Sequence, residues 1–189
     1  MSSDKPDRQK AGELFDRYLT ADNLRKHCLA TEAILRELAP RYGGDPDVWG
    51  VAGLLHDLDY DQTKEDMPRH TLVTAGILRD EGYDEEIIRA IMAHNAAHVG
   101  VEMETPLDYL LAASESLTGM IVAMALILPD KKLAGVKTKS IMKRMKEKAF
   151  ARNVNREDIM LCREVGLEPD EFVTIGIQAM QKISGELGL

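Results

Sequence analysis

The segment at residues 51–61 reads VAGLLHDLDYD, in which an apolar run leads directly into His56 and Asp57. Upstream, Asp45-Pro46 offers a helix N-cap followed by proline at the first helical position, so the run is predicted to be a buried helix. A neutral imidazole beside a carboxylate at the end of such a helix is a ready pair of metal ligands. Because the dipeptide also occurs by chance, its meaning depends on partners elsewhere in the chain.

The rest of the sequence favours helices as well. Apolar residues recur at spacings of three and four, and no run alternates as a strand would. We therefore predict an all-α bundle of about eight to nine helices, with helices at 23–39, 45–57, 70–82, 84–98, 105–128, 140–152, 155–165 and 170–183. The length of 189 residues fits a single domain, 1–189, with a core at about 20–128 and a C-terminal helical extension at about 129–189.

Charge is distributed unevenly along the chain. The net charge is −8, yet residues 131–156 hold ten Lys or Arg and one acid, which makes this stretch +9 and the remainder −17. The acidic total argues against a nucleic-acid partner, while a local basic stretch attracts anions. Lys143 and Lys146, three apart on one predicted helix face, are candidates for binding a substrate phosphate, together with Lys139 and Arg156. The alternative is that they form an ordinary solvated helix face.

The composition predicts a cytoplasmic protein without a membrane span. The first ten residues are polar and carry no signal-like apolar segment. The most apolar stretch, 117–128, is too short to cross a bilayer and follows Asp108 and Glu115, so it is interpreted as a buried helix. Cys28 and Cys162 lie far apart and match no disulfide framework; Cys28 is expected to be a small buried thiol.

Several predicted helices bring a potential metal ligand to an inward face. These residues are His27, the His56-Asp57 pair, His94 and Glu115, with His70 at a helix start. A carboxylate inside an apolar helix, such as Glu115, requires a cation, a hydrogen-bond donor or a shifted pKa. His98 shares the apolar stripe of His94 but is expected to be a hydrogen-bonded core histidine.

An acidic loop follows His56-Asp57. Its carboxylates are interpreted most simply as solvated, although the first two are close enough to serve as partners that orient the histidines. The loop residues concerned are Asp59, Asp61, Glu65 and Asp66.

Five strings between residues 23 and 123 resemble the HD superfamily of metal-dependent phosphohydrolases, in particular its small stand-alone bacterial and archaeal members. The strings are LRKHCLATE, AGLLHDLDYD, RHTLVTAGIL, AIMAHN and AASESLTGMI. The resemblance implies an HD-type helical bundle in which His27, His56 and Asp57 are metal ligands. It also implies that His70 and His94 are the additional ligands of two-metal members. Glu115 stands where the family pattern has an aspartate.

The resemblance further implies the chemistry. Imidazoles and carboxylates without a thiolate suit one or two divalent transition ions, namely Mn, Fe, Co, Ni or Zn. With two ions, Asp57 is expected to bridge them, with His27, His56 and Glu115 on one ion and His70 and His94 on the other. His56 and Asp57 are then the central catalytic pair.

The expected reaction is phosphomonoester or phosphodiester hydrolysis of a small phosphorylated molecule, such as a nucleotide, by a metal-bound hydroxide. Two alternatives remain open. One is a catalytically degenerate HD module that binds a nucleotide or a partner protein, suggested by Glu115 at the aspartate position. The other is a di-iron oxygenase, which the resemblance also allows.

Overall fold

The computed structural model describes residues 7–189, which fold as helices without a β-strand in that range. The helices are α1 (Arg8–Tyr18), α2 (Asp22–Leu38), α3 (Pro46–Leu55), α4 (Tyr60–Thr63), α5 (Leu72–Asp80), α6 (Glu85–His94), α7 (Ala96–Val99), α8 (Pro106–Leu126), α9 (Thr138–Arg144), α10 (Arg156–Met160), α11 (Pro169–Lys182) and α12 (Ser184–Leu187). Three 3-10 turns, Ala39–Tyr42, Leu133–Gly135 and Leu161–Val165, complete the list. The all-α prediction is confirmed.

Side-chain caps fix where the helices that carry the core begin. The carboxylate of Asp45 accepts the backbone N–H of Asp47 at 2.8 Å, with Pro46 as the first residue of α3. Thr105 and Asp108 form a reciprocal capping box at the start of α8. Because these caps satisfy backbone groups that the helix leaves unpaired, the predicted starts of α3 and α8 are confirmed.

Helix α8 is the centre of the bundle, where it packs against α2, α6, α10 and α11. Within residues 7–189 it is also the one helix long and apolar enough to cross a membrane, but 67% of its most apolar window is buried inside the fold. It is therefore a core helix of this fold, and the interpretation of residues 117–128 as buried is confirmed except at its end, where Leu126 and Ile127 are exposed. Both Cys28 and Cys162 are free thiols in the core, as predicted for Cys28.

Helices α2 and α3 make an unusually close contact at Gly53. A Cβ atom at this position would lie 2.8 Å from the backbone nitrogen of Glu32 and 2.9 Å from its Cα. Only glycine allows the two backbones to approach this far. The contact matters for the site because α2 carries His27 and α3 leads into His56.

The helix predicted for residues 84–98 is interrupted. Helix α6 ends at His94, and His98 lies on the separate turn α7. His98 is exposed, with its Nδ1 2.9 Å from Oδ1 of Asn95, so the prediction of a core histidine is wrong. The break at Asn95 moves His98 off the face that His94 shares with the core.

The C-terminal half departs from the predicted helices for identifiable reasons. Helix α9 ends at Arg144 instead of residue 152, because the guanidinium of Arg156 donates to carbonyls of the following loop, including Val154 at 2.9 Å. Those carbonyls are therefore paired without a helix. The cap of α11 is Glu168, not Asp170, because Pro169 occupies the first helical position. Helix α1 was not predicted.

Candidate metal centre

Five side chains from four separate stretches of the chain meet at one place. His27 comes from α2, His56 and Asp57 follow α3, His70 precedes α5 and His94 ends α6. The Nε2 atoms of His27 and His56 are 3.2 Å apart, and those of His70 and His94 are also 3.2 Å apart. The structure thus arranges the four histidines as two pairs.

Asp57 lies between the two pairs and faces each with one carboxylate oxygen. Its Oδ2 is 3.8 Å from Nε2 of His27 and 3.6 Å from Nε2 of His56. Its Oδ1 is 3.3 Å from Nε2 of His70 and 3.8 Å from Nε2 of His94. Two groups of potential ligand atoms result, each within 4.8 Å: His27, His56 and Asp57 form one, and Asp57, His70 and His94 form the other.

The opposite ring nitrogen of each histidine shows which nitrogen carries the proton. Nδ1 of His56 lies 2.8 Å from the carbonyl oxygen of Gly53, and Nδ1 of His94 lies 2.6 Å from that of Ile91. A carbonyl can only accept, so both rings donate from Nδ1. A neutral ring that donates from Nδ1 keeps a bare lone pair on Nε2, which points at the cluster.

The hydrogen bonds of Thr118 show in the same way which nitrogen of His27 carries the proton. Nδ1 of His27 is 2.9 Å from Oγ1 of Thr118, and that hydroxyl donates its single hydrogen to the carbonyl of Glu115 at 2.7 Å. The hydroxyl is therefore the acceptor for His27, whose Nε2 is left bare. Bare lone pairs 3.2 Å apart repel one another unless a cation or a proton lies between them.

His70 is held by a fully buried carboxylate. Its Nδ1 is 2.8 Å from Oδ1 of Asp59, and Oδ2 of Asp59 accepts the backbone N–H of Thr74 at 2.9 Å. The simpler interpretation of the acidic loop as solvated is therefore wrong for Asp59, and its alternative role as a partner that orients a histidine is confirmed, while Glu65 and Asp66 are exposed. A carboxylate that accepts from the far nitrogen of a metal-binding histidine fixes the ring and raises its basicity.

Burial and charge set different protonation states within the cluster. Burial lowers the pKa of His56 to about 3, which keeps it neutral. Burial alone would raise the pKa of Asp57, but His56, the contact with His70 and the other neighbouring imidazoles hold it well below its usual range. Burial also opposes protonation of His70, yet Asp57 and Asp59 raise its pKa to about 9. A proton and a metal ion therefore compete for the Nε2 of His70.

This donor set fits a divalent transition ion. Imidazole nitrogens and carboxylate oxygens are the ligands that Mn, Fe, Co, Ni and Zn share, and neither group, among the described residues, includes a cysteine that would select a softer ion. Each group of three also lacks the further ligands that would close a purely structural site. The arrangement can therefore hold a cation and leave positions for a substrate.

Glu115 lies outside both groups of three. Its side chain on α8 is partly exposed and, within residues 7–189, its carboxylate has no hydrogen-bond partner. Burial raises its pKa, and the charges of His94, Asp57 and His27 also act on it. The carboxylate is thus electrostatically coupled to the cluster, and ligation by Glu115 stays a prediction.

Two features of this neighbourhood had no clear sequence signal. Thr118, the partner of His27, lies one helical turn after Glu115 on α8, where only the hydroxyl among apolar residues hints at a polar role. Asp158 on α10 lies with its Oδ2 3.4 Å from Oγ of Ser116, and burial raises its pKa. That contact depends on how α10 packs against α8, which the sequence does not indicate.

The predicted phosphate-binding lysines do not lie in one helix. Lys143 is in the last turn of α9 and Lys146 lies beyond its end, so the prediction of a shared helix face is wrong. Both side chains are exposed, and their role with phosphate stays a prediction. The guanidinium of Arg156 is occupied by backbone carbonyls, including that of Val154, and is not free for a substrate.

Comparison with known proteins gives one family and several partial relatives. The family model described as HD domain matches residues 24–125, a range that contains all five clustered residues and Glu115. A ribonuclease Y of Nitratidesulfovibrio vulgaris is 32% identical over 108 residues, which cover 57% of this chain and 20% of that protein. A tRNA (cytidine(56)-2'-O)-methyltransferase of Thermoplasma volcanium is 26% identical over 176 residues, covering 88% of this chain and 50% of that protein.

An uncharacterized protein of Methanocaldococcus jannaschii is 32% identical over 95 residues, covering 48% of this chain and 54% of that protein. The chain thus spans between a fifth and about half of the length of these relatives. No solved structure matches it.

Proposed function

Since the chain belongs to the HD domain family, we propose that it is a metal-dependent phosphohydrolase acting on a small phosphorylated molecule such as a nucleotide. One observation carries the proposal: a single ionised carboxylate, Asp57, lies between two histidine pairs whose Nε2 atoms converge on it. The net charge of −8 supports a small-molecule substrate over a nucleic acid. The two cysteines, both free thiols, are consistent with a location in the cytoplasm.

Two ions are accommodated by dividing the cluster at Asp57. His27 and His56 would hold one ion and His70 and His94 the other, with Asp57 shared between them. A divalent ion bound there supplies Lewis-acid chemistry, because it acidifies water and neutralises charge on a phosphoryl group. The number of ions and their identity among Mn, Fe, Co, Ni and Zn belong to the proposal.

Hydrogen bonds within the protein orient the four histidines for metal binding. The carbonyls of Gly53 and Ile91, the hydroxyl of Thr118 and the carboxylate of Asp59 each accept from an Nδ1–H, which holds the rings in a single orientation. Preorganised ligands of this kind bind an ion without first having to reorient. Asp57 keeps its negative charge because the surrounding imidazoles stabilise it.

Elemental analysis of protein purified without chelators tests the metal, and a hydrolysis panel tests the reaction. We expect one or two divalent ions per chain and cleavage of at least one phosphomonoester or phosphodiester. The panel includes an RNA oligonucleotide, because the named relatives include a ribonuclease and a tRNA methyltransferase. Protein without divalent metal that also fails to cleave the whole panel after reconstitution would sink the proposal.

Replacing Asp59 with asparagine is expected to lower the affinity for the ion at His70 and His94 by roughly 10–100-fold, which is the usual effect of losing a carboxylate that hydrogen-bonds to a ligand histidine. The ion at His27 and His56 is expected to keep its affinity, since Asp59 contacts neither residue. Metal titration against a chelating indicator measures both sites. Asp66→Asn is the matched control, because it makes the same change in an exposed residue of the same loop. Equal loss at both sites would contradict the assignment of Asp59 to one ion.

A second candidate function is binding of a nucleotide or a partner protein without turnover. The observation that favours it is the position of Glu115 outside both groups of potential ligands. Glu115→Asp separates the two functions. The phosphohydrolase proposal expects comparable activity in the variant and in the unmodified protein, whereas activity that appears only in Glu115→Asp would favour the inactive module. Hydrolysis rates on the same panel provide the measurement.

A further inference from the structure

A cavity of about 440 Å³ lies beside the histidine cluster, between α2 and α8. Helix α2 lines it with Lys26, His27 and Ala30, and α8 lines it with Thr118, Val122 and Leu126. The α8 residues are spaced by four and therefore form one stripe on that helix. The cavity has the volume typical of small-molecule pockets.

The cavity and the candidate metal centre share a wall. His27 and Thr118 both line the cavity, and they are hydrogen-bonded to each other at 2.9 Å. The side chain of His27 is 24% exposed, whereas that of His56 is 0% exposed. Of the five clustered residues only His27 lines the cavity, so a molecule in the cavity meets the centre at His27.

The lining is mostly aliphatic. Ala30, Val122, Leu126 and Leu187 line it, and no Phe, Tyr or Trp of the described residues contributes to it. Leu126 is 50% exposed, one of three large apolar side chains left exposed in the described part of the chain. Exposed apolar surface that borders a concave site marks a place where a ligand is buried.

The polar residues that line the cavity largely bond to one another, because Lys26 pairs with Asp22 and His27 with Thr118. The full polar set is Asp22, Asn23, Lys26, His27 and Thr118. Lys26 is paired with the exposed carboxylate of Asp22 at 2.8 Å, a surface ion pair that water screens. Asn23 is the remaining polar neighbour on α2 before His27. Such a lining stabilises an apolar group and offers little to a strongly hydrated one.

We propose that this cavity binds the apolar organic group of a phosphoester whose phosphoryl end lies at the metal centre. The proposal rests on the proposed function and names its substrate class. The apolar group is either an aliphatic or aryl chain or the base of a nucleotide, since both present apolar surface to aliphatic walls. Leu126 is then a residue that determines specificity, not a catalytic one.

Leu126 and Ile127 provide a matched pair for the test. They are adjacent at the end of α8 and 50% and 52% exposed, but only Leu126 lines the cavity. In Leu126→Asp a carboxylate faces the apolar group, while Ile127→Asp places the same charge at the same helix end outside the cavity. The substrates are 1-naphthyl phosphate, hexyl phosphate, adenosine monophosphate and, as a small hydrated reference, glycerol 3-phosphate.

We expect Leu126→Asp to lower kcat/KM by roughly tenfold or more for the apolar substrate, with glycerol 3-phosphate little changed. Ile127→Asp is expected to change neither. A loss on adenosine monophosphate alone identifies a base, and a loss on the naphthyl and hexyl esters identifies an alkyl or aryl group. Equal selectivity in the two variants overturns the pocket while leaving the phosphohydrolase proposal intact.

Calorimetric binding of naphthylmethylphosphonate, which cannot be hydrolysed as an ester, separates the pocket from the reaction. If the protein hydrolyses nothing, weaker binding to Leu126→Asp than to Ile127→Asp still supports the pocket and only the proposed function fails. Identical binding to both variants, or no binding to the unmodified protein, rules out the pocket.

Discussion

Asp57→Asn is expected to remove metal binding and phosphohydrolase activity together. Asp57 is the one side chain common to both groups of potential ligands, and each of its oxygens faces a different histidine pair. An amide is neutral, and it presents an N–H₂ group to one pair where a metal ligand is needed. Losing a residue that only hydrogen-bonds to a metal ligand lowers metal affinity or activity by about 10–100-fold. Losing this shared ligand itself is therefore expected to lower kcat/KM by roughly a thousandfold or more.

Elemental analysis and steady-state kinetics on the same preparation measure the two effects. Asp66→Asn is the control, since it makes the same change in an exposed carboxylate, whose ion pair with Arg69 spans 3.9 Å. Circular dichroism of each variant shows whether the helices are intact. If Asp57→Asn keeps its metal and its activity, the carboxylate does not bridge the centre and the proposed function loses its main support.

Much of the candidate site followed from the sequence because its residues lie in strong helical patterns. The buried run before His56, the apolar spacing that ends at His94 and the position of His70 before a helix all place side chains by periodicity alone. Resemblance to the HD family then supplied the grouping of these residues with His27. The structure brings together five of the six proposed ligands and leaves Glu115 outside.

The remaining features depend on contacts between distant segments. The sequence suggests that Asp59 could orient a histidine, but only the fold shows that His70 and Thr74 surround it while Glu65 and Asp66 of the same loop are exposed. The helical sequence pattern continues past Arg144, so it predicts a longer α9 than the structure has. The carbonyls of the following loop are instead paired by the side chain of Arg156. Single-sequence patterns carry no information on such tertiary hydrogen bonds.

Gly53→Ala is expected to be strongly destabilising. The added methyl would lie 2.8 Å from the backbone nitrogen of Glu32 and 2.9 Å from the carbonyl carbon of Thr31, distances that Cβ atoms do not adopt. Backbone atoms of a helix cannot rotate away as a side chain can, so α2 and α3 must separate. Overpacking of this kind costs about 2–3 kcal/mol in the free energy of unfolding. In a chain of this length the midpoint Tm is expected to fall by roughly 5–10 °C in thermal denaturation.

Gly76→Ala is the matched control, because a Cβ at this position on α5 meets nothing within 4 Å. Alanine in an open helical position stabilises by about 0.5–1 kcal/mol, so the two substitutions are expected to shift Tm in opposite directions.

The close contact at Gly53 also has a consequence for the metal centre. Gly53 packs against Thr31 of α2, whose hydroxyl donates to the carbonyl of His27 one turn earlier. The carbonyl of Gly53 itself accepts the Nδ1–H of His56 and so orients that ring. Separating the helices is therefore expected to lower the affinity for the ion at His27 and His56 more than the affinity for the ion at His70 and His94. Metal titration of Gly53→Ala at a temperature where it is folded measures this difference. Unchanged stability, or equal weakening of both ions, would show that the α2–α3 contact does not set the spacing of His27 and His56.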